Sequence, residues 1–147
     1  MKKCMTFIII SIALISLLVI PMIVTIVIYN QTFGVRAESP AHSYRFRYED
    51  VQGYTRRLTH FYSGQNKLTA YIYGEENDKG LVVISHGLGG GASYYFPETM
   101  FFVDNDWRVF TFDKTGSHYS EGSGTRGLPQ SALDLDAALN YISSQNW

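Results

Sequence analysis

The sequence predicts an α/β fold in which a β-hairpin is followed by strand, helix, strand and helix, all preceded by a transmembrane helix. Three observations support this prediction. An uncharged apolar run occupies residues 7–29. Two later segments rich in β-branched and aromatic residues, separated by a turn, predict the hairpin. Two further apolar strands each precede a segment with helical character, and this alternation is typical of a sheet flanked by helices.

The N-terminal run predicts a helix that crosses a membrane. Phe7–Tyr29 contains no charged residue, and as a helix it would extend about 34 Å, compared with about 30 Å for a bilayer core. Pro21 is tolerated in such a helix because neighbouring groups re-satisfy the freed carbonyl. A cleaved signal peptide is the competing interpretation, but its apolar stretch spans only about 7–15 residues. We therefore interpret the run as an uncleaved, single-pass anchor.

Charge predicts the membrane topology, and the pattern of apolar residues predicts how the chain is divided. Lys2 and Lys3 flank the run, so the positive-inside rule places residues 1–6 in the cytoplasm and the remainder outside it. Residues 30–44 lack a regular apolar period and predict a linker, and residues 45–147 predict a folded region. The single cysteine, Cys4, excludes an internal disulfide. A net charge of -1 gives no support for nucleic-acid binding.

The folded region begins with the predicted hairpin. Thr55–Tyr62 and Leu68–Tyr73 have strand composition, and a four-residue turn cluster, Ser63–Asn66, separates them. Leu81–Ser85 is continuously apolar, which predicts a strand covered on both faces, as in a parallel sheet. Arg108–Phe112 predicts the next strand.

Two helices complete the pattern. A short helix is predicted between Ser93 and Asp104, and a longer one from about Pro129 to Ser143. An apolar stripe at helical spacing supports the longer helix; it consists of Leu135, Ala138, Leu139 and Ile142. The acidic residues Asp134 and Asp136 are expected at solvated helix positions. The aromatic residues around the shorter helix are expected in the core; they are Tyr94, Tyr95, Phe96, Phe101 and Phe102.

A glycine-rich loop, His86–Gly91, follows the first buried strand, where open α/β sheets bind ligands. One interpretation is a dinucleotide site, because Gly87–Ala92 fits G-x-G-x-x-A and the next strand ends in Asp113, which would meet a ribose hydroxyl. The preceding hairpin and the helix-disturbing Pro97 count against it. The other interpretation is an oxyanion hole, for which glycines let the backbone approach a substrate closely.

Three stretches carry a resemblance to a known family. The sequence from about Thr55 onward resembles the front half of α/β-hydrolases of the serine aminopeptidase and monoglyceride-lipase-like type. The resemblance implies an incomplete α/β-hydrolase sheet and hydrolysis of esters, amides or peptides without a cofactor. The stretches, in order, are Ser63–Leu68, Leu81–Gly90, and Phe112–Gly116 with Ser120–Gly122.

The resemblance also implies roles for individual residues. The Leu88 backbone N–H matches the oxyanion donor of the loop, and His86 and Gly87, with Gly89 beside them, match the residues that shape it. Asp113 and Gly116 match a loop near the site that is largely structural.

The catalytic triad of that family has no counterpart in this sequence. The nucleophile lies in G-x-S-x-G, and its acid and histidine partners follow it in the chain. Ser93 and Ser120 come nearest to the motif, but neither has glycine at both required offsets. We therefore expect no catalytic residue and no activity in this chain alone, with an acyl or peptide substrate only if the chain is completed. A non-catalytic, membrane-anchored interaction protein is the alternative of a different class.

The histidines do not predict a metal site, because His42, His60 and His118 lack metal-ligand spacing. Ser117 and His118 are adjacent in sequence, and we interpret them as turn residues rather than as a nucleophile and its base. In the resembling family the strand corresponding to Leu81–Ser85 pairs with a further strand that this chain lacks. Its outer edge is therefore expected to be open.

Overall fold

The computed structural model describes residues 2–38 and 47–145. The chain divides into two compact units, residues 1–34 and 35–147. The first unit is the helix α1, Lys2–Phe33. Within it, the most apolar window of Met5–Phe33 has a mean hydropathy of 3.0, and none of that window is buried. Among the described residues this is the one helix long and apolar enough to cross a membrane.

Helix α1 continues past the predicted span, because residues 30–33 of the predicted linker are helical. A short stretch of that linker, Val35–Ala37, begins the second unit and bonds to the loop after β4. The Ala37 amide donates to the Gly116 carbonyl at 2.8 Å, and the His118 amide donates to the Ala37 carbonyl at 2.9 Å. Residues 39–44 of the predicted linker, including His42, lie outside the described residues.

The second unit is a four-stranded mixed sheet with one helix on each face. The strands are β1 (Arg56–Ser63), β2 (Asn66–Tyr73), β3 (Leu81–Ser85) and β4 (Arg108–Phe112). Their order is β1-β2-β4-β3; β1 is antiparallel to β2, β2 is antiparallel to β4, and β3 is parallel to β4. Helix α2 is Phe96–Val103 and helix α3 is Gly127–Ser143. The predicted order of hairpin, strand, helix, strand and helix is confirmed.

The hairpin turn is tighter than predicted. Ser63 and Asn66 pair within the ladder, so the turn itself contains only Gly64 and Gln65. Gly64 has φ 58°, a value that glycine tolerates at the first position of a type II′ turn.

Successive side chains of each strand point to opposite faces of the sheet, so a hydrophobic core forms on each face. On one face, Phe61, Ile72, Phe110 and Phe112 pack beneath α3, where Ala138 is fully buried. On the other face, a second cluster packs beneath α2 and the short 3₁₀ helix Ala92–Tyr95. This cluster contains Tyr71, Tyr73, Ala92, Phe96 and Val109.

Three packing predictions need correction. All five residues of β3 are half-buried rather than covered, because β3 lies at the sheet edge and among the described strands only β4 pairs with it. On α3, Leu139 is exposed, and Tyr141 packs against Phe61 instead, with its ring centroid 5.6 Å away. In the aromatic set, Phe101 faces solvent.

Candidate functional site

The glycine loop lies at the carboxyl end of β3, beside the loop that follows β4. The two strands are parallel, with Ser85 paired to Phe112, so the residues after each strand emerge at the same sheet edge. The sheet therefore brings together His86–Gly91 and the segment that begins at Asp113.

The tip of the glycine loop is a type II turn. The Gly90 amide donates to the Gly87 carbonyl at 3.2 Å, and Gly89, the third residue of the turn, has φ 72°. Type II turns require such a positive φ at this position, which explains the glycine. Leu88 occupies the second position and is 47% exposed. Within the described part of the chain, its amide donates to no protein acceptor.

An open groove lies over this turn. It has a volume of about 370 Å³ and is lined by residues 87–90 together with Tyr94 and Tyr95. A Cβ added to Gly87 would come no closer than 3.8 Å to the Tyr95 hydroxyl. The backbone at Gly87 is therefore open to the groove.

His86 holds the base of the loop, and its hydrogen bonds define the tautomer of its ring. Its Nε2 accepts from the Lys114 amide at 3.0 Å, so the proton resides on Nδ1, which donates to the Gly87 carbonyl at 2.7 Å. Burial lowers the pKa of His86 to about 4. His86 is therefore a neutral connection between the two loops, and both ring nitrogens are occupied.

Lys114 makes a second connection beneath the loop. Its Nζ donates to the His86 carbonyl and to Ser131 Oγ at 2.6 Å, which links β3, the loop after β4 and helix α3. Burial lowers the pKa of Lys114. The cleft that Lys114 and Ser131 share with Gly87, Leu88 and Gly89 has a volume of only about 10 Å³, so these side chains support the loop from below.

Asp113 faces back into the protein rather than toward a ligand in the loop. It is 2% exposed, and its Oδ1 accepts from the Ala92 amide at 2.8 Å. Burial raises the pKa of Asp113, and the hydrogen bond from Ala92 opposes that rise. The carboxylate thus closes the end of the glycine loop.

This geometry does not support the dinucleotide interpretation of Gly87–Ala92. The carboxylate that would meet a ribose is committed to the Ala92 amide. The residues after the glycines form the 3₁₀ helix Ala92–Tyr95, and the α-helix starts only at Phe96. The helix N-terminus that holds a pyrophosphate in that motif is therefore displaced from the glycines.

Asp134 is the clearest error among the sequence predictions. It was expected at a solvated position, yet it is fully buried. Its carboxylate accepts from the Thr115 amide at 2.8 Å, from Thr115 Oγ1 at 2.9 Å and from Gln130 Nε2 at 2.8 Å. These bonds tie α3 to the loop after β4. Asp136, two residues on, is exposed as predicted.

The serines that came nearest to a nucleophile motif are not arranged as nucleophiles. Ser120 is buried, and its Oγ accepts from the Thr69 amide at 2.9 Å and donates to the Asp113 carbonyl. Ser93 is exposed on the 3₁₀ helix. Ser117 is buried, whereas the His118 ring packs edge-on against Tyr94, with centroids 5.4 Å apart. No cluster of three potential metal ligands occurs among the described residues.

Sequence reasoning missed the residues that hold the loop, namely Lys114, Ser131 and Asp134. Lys114 lies in the loop after β4, and Ser131 and Asp134 lie within α3, where polar residues usually face solvent, so nothing in the sequence indicated their internal partners.

The fold is similar to that of known hydrolases. The chain superimposes on an esterase from Pyrococcus furiosus, Pf2001, with a TM-score of 0.59 and 17% identity, covering 76% of this chain and 44% of the esterase. A second crystal form of that esterase gives a TM-score of 0.59 and 19% identity, covering 74% of this chain and 43% of the esterase. The α/β hydrolase GrgF from Penicillium sp. sh18 gives a TM-score of 0.55 and 16% identity, covering 63% of this chain and 33% of GrgF.

No protein-family model and no curated protein matches the sequence. The chain spans less than half the length of the solved structures that it resembles. At these identities the similarity concerns the fold. The second unit accordingly has an α/β-hydrolase-like fold that corresponds to part of those structures, and a long apolar helix precedes it in the chain.

Proposed function

We propose that this chain is the membrane-anchored N-terminal part of a serine hydrolase that cleaves an ester, amide or peptide bond. In this proposal the Leu88 amide stabilises the negative charge that develops on the substrate carbonyl oxygen. The observation that carries the proposal is the type II turn at Gly87–Gly90, in which that amide has no acceptor among the described residues. A preorganised donor of this kind stabilises an oxyanion without reorganisation during the reaction.

The scaffold beneath the turn supports this role. His86, Lys114 and Ser131 connect the loop to the segment after β4 and to α3 through hydrogen bonds, and a rigid loop is required if its amide is to be preorganised. The similarity to Pf2001 and GrgF supports hydrolysis as the reaction class. We further propose that the substrate specificity of this hydrolase is of the serine aminopeptidase or monoglyceride-lipase-like type.

The membrane part of the proposal rests on α1. The apolar surface of Met5–Phe33 is unburied, and the basic residues lie at its N-terminal side. We propose a single pass with residues 1–6 in the cytoplasm and the hydrolase-like unit on the other side.

The chain itself is proposed to be inactive, because an acyl-enzyme requires a nucleophile and none is placed at the loop by the described residues. The first test is to assay the 147-residue chain with p-nitrophenyl esters, for which we expect no turnover. The coding sequence beyond Trp147 should then contain a G-x-S-x-G motif. Turnover by the 147-residue chain would contradict the proposal.

Leu88→Pro in the extended, active protein tests the oxyanion donor. Proline removes the N–H but fits the second position of a type II turn, so the loop should keep its shape. We expect kcat to fall by about 10²–10³-fold, with KM little changed. Leu88→Ala is the matched control, since it keeps the amide and should retain activity. Equal activities of the two variants would exclude Leu88 as the donor.

The open edge of β3 favours a second candidate, a non-catalytic anchored protein that binds another polypeptide. Leu81–Ser85 has no charged residue and no proline, the features that usually protect an edge strand. A stop codon directly after Trp147, together with absent turnover, would favour this candidate.

A further inference from the structure

The second unit contains a cavity that the proposed hydrolase site does not use. Its volume is about 540 Å³, within the range of about 300–1,000 Å³ that is usual for small-molecule sites. It lies against the face of β1 and β2 opposite α3, and it extends to Asp113 at the end of β4. The 3₁₀ helix Tyr48–Asp50 contributes to its wall.

Three aromatic rings form the apolar wall of the cavity. Tyr48, Tyr73 and Phe96 are mutually in contact, with centroids between 5.9 and 6.2 Å apart. Such a wall suits a flat apolar group, because ring faces and edges give favourable contacts beyond simple burial.

Arg56 provides a cationic end. Its guanidinium lies 4.0 Å from the ring centroid of Tyr48 and 5.0 Å from that of Tyr71, and its side chain is 27% exposed. Its carboxylate partner Glu49, at 3.1 Å, is 66% exposed, so this pair has the character of a weak surface ion pair. A ligand carboxylate could replace Glu49 and bind the planar fork of Arg56.

The Asp113 carboxylate lies at the other end of the cavity; it is 2% exposed, and its Oδ1 is bonded to the Ala92 amide. Its Oδ2 is reached by two long contacts, 3.4 Å from the Tyr71 hydroxyl and 3.5 Å from the Tyr119 amide. The ring of Tyr71 therefore extends between the two ends, with the guanidinium of Arg56 near its centroid and the carboxyl group of Asp113 near its hydroxyl.

We propose that this cavity binds a small zwitterion with an apolar body, of the chemical class of an aromatic amino acid. The ligand carboxylate binds Arg56, the ligand ammonium binds Asp113, and the apolar body packs on the wall formed by Tyr48, Tyr73 and Phe96. This inference does not depend on the hydrolase activity proposed above.

The test is calorimetric titration of the full chain in detergent micelles with three probes: L-phenylalanine, N-acetyl-L-phenylalanine and 2-phenylethylamine. The second probe lacks the ammonium and the third lacks the carboxylate. We expect saturable binding of phenylalanine and at least about tenfold weaker binding of each of the others. Absence of saturable phenylalanine binding up to about 10 mM, or equal affinity for all three probes, would overturn the proposal.

Arg56→Gln should weaken phenylalanine binding by at least about tenfold and leave 2-phenylethylamine binding unchanged, because that probe has no carboxylate. Arg57→Gln is the matched control: Arg57 is the next residue on β1 and pairs with the side chain of Glu75 at 2.7 Å. It should bind phenylalanine like the unmodified protein. Equal affinities of Arg56→Gln and Arg57→Gln would contradict the proposed role of Arg56.

Arg56→Lys keeps the positive charge without the planar fork, so an intermediate loss is expected. Circular dichroism of each variant verifies folding. If Arg56→Gln does not fold, Arg56→Lys decides the matter, and unchanged affinity there would overturn the proposal.

Discussion

At the scale of single residues, His86 shows how burial determines a role. Both ring nitrogens are bonded within the protein, one to the Lys114 amide and one to the Gly87 carbonyl. The ring therefore positions the loop and is not free to take a proton from a substrate. The sequence indicated only that a histidine stands beside glycines.

The lowered pKa of His86 predicts a pH dependence of stability. The folded protein keeps His86 neutral until about pH 4, whereas the unfolded chain takes up this proton near its ordinary pKa of 6.5. Between these values the unfolded state binds more protons, so the free energy of unfolding decreases as the pH is lowered from about 6.5 to about 4, by ~3 kcal/mol from this group.

Urea unfolding between pH 4 and pH 7 measures this effect, with α1 held in micelles. His86→Gln keeps an acceptor for the Lys114 amide but does not titrate, so its profile should be flatter. His60→Gln, an exposed control, should retain the dependence of the unmodified protein. A slope that persists in His86→Gln would contradict the assignment to His86. Asp113, whose pKa is raised by burial, contributes with the opposite sign in all three proteins.

Asp134 predicts a large loss of stability on substitution. Asp134→Ala leaves the Thr115 amide and hydroxyl without their buried acceptor, and we expect a cost of about 2–4 kcal/mol. Asp136→Ala, on the exposed side of the same helix, should change stability by less than about 0.5 kcal/mol. Thermal unfolding compares the two variants, and similar losses would show that helix position, rather than the buried bonds, determines the effect.

At the scale of elements, the segment Val35–Ala37 acts as a short strap over the loop after β4. Ala37 forms an isolated parallel β-bridge with Ser117. The Arg36 guanidinium donates to the carbonyls of His118 at 2.7 Å, Ser120 at 3.0 Å and Gly122 at 2.7 Å. One side chain thus orders the loop that carries Asp113 and Lys114.

The strap predicts that Arg36 protects this loop. In Arg36→Ala the three carbonyls lose a charged donor, and we expect about 2–3 kcal/mol of destabilisation with faster amide hydrogen exchange over residues 114–124. Arg57→Ala removes an exposed ion pair on β1 and should leave that exchange unchanged. Unaltered exchange in Arg36→Ala would show that the backbone bonds of Ala37 are sufficient.

At the scale of the whole molecule, the proposed anchor predicts a sensitivity to charge. Leu18 lies in the middle of α1 and its side chain is exposed. Leu18→Arg should disfavour membrane insertion by about 2.5–3.5 kcal/mol, whereas Leu18→Phe should insert normally. Resistance to carbonate extraction measures insertion. Equal retention of both variants in the membrane fraction would argue against a spanning helix.

Much of the fold could be predicted from the sequence because strands and helices leave a local periodic signal. Leu81–Ser85 and Arg108–Phe112 are strands with the predicted bounds, and the hairpin pairs as expected. The turn at Gly87–Gly90 was also visible as a glycine cluster. The predicted apolar face of α3 was less accurate. Leu139 and Tyr141 lie on opposite sides of its buried face, and only the contact with Phe61 shows that Tyr141, rather than Leu139, packs against the core.

The sequence by itself determined the apolar N-terminal helix, the succession of strands and helices, and the backbone freedom of the glycine loop, because each depends on neighbouring residues. Only the tertiary structure decided that Asp134 is buried, that Lys114 and His86 support the loop, and that β3 is half-exposed. These features depend on groups far apart in the chain, whose hydrogen bonds and burial arise only when the sheet brings them together.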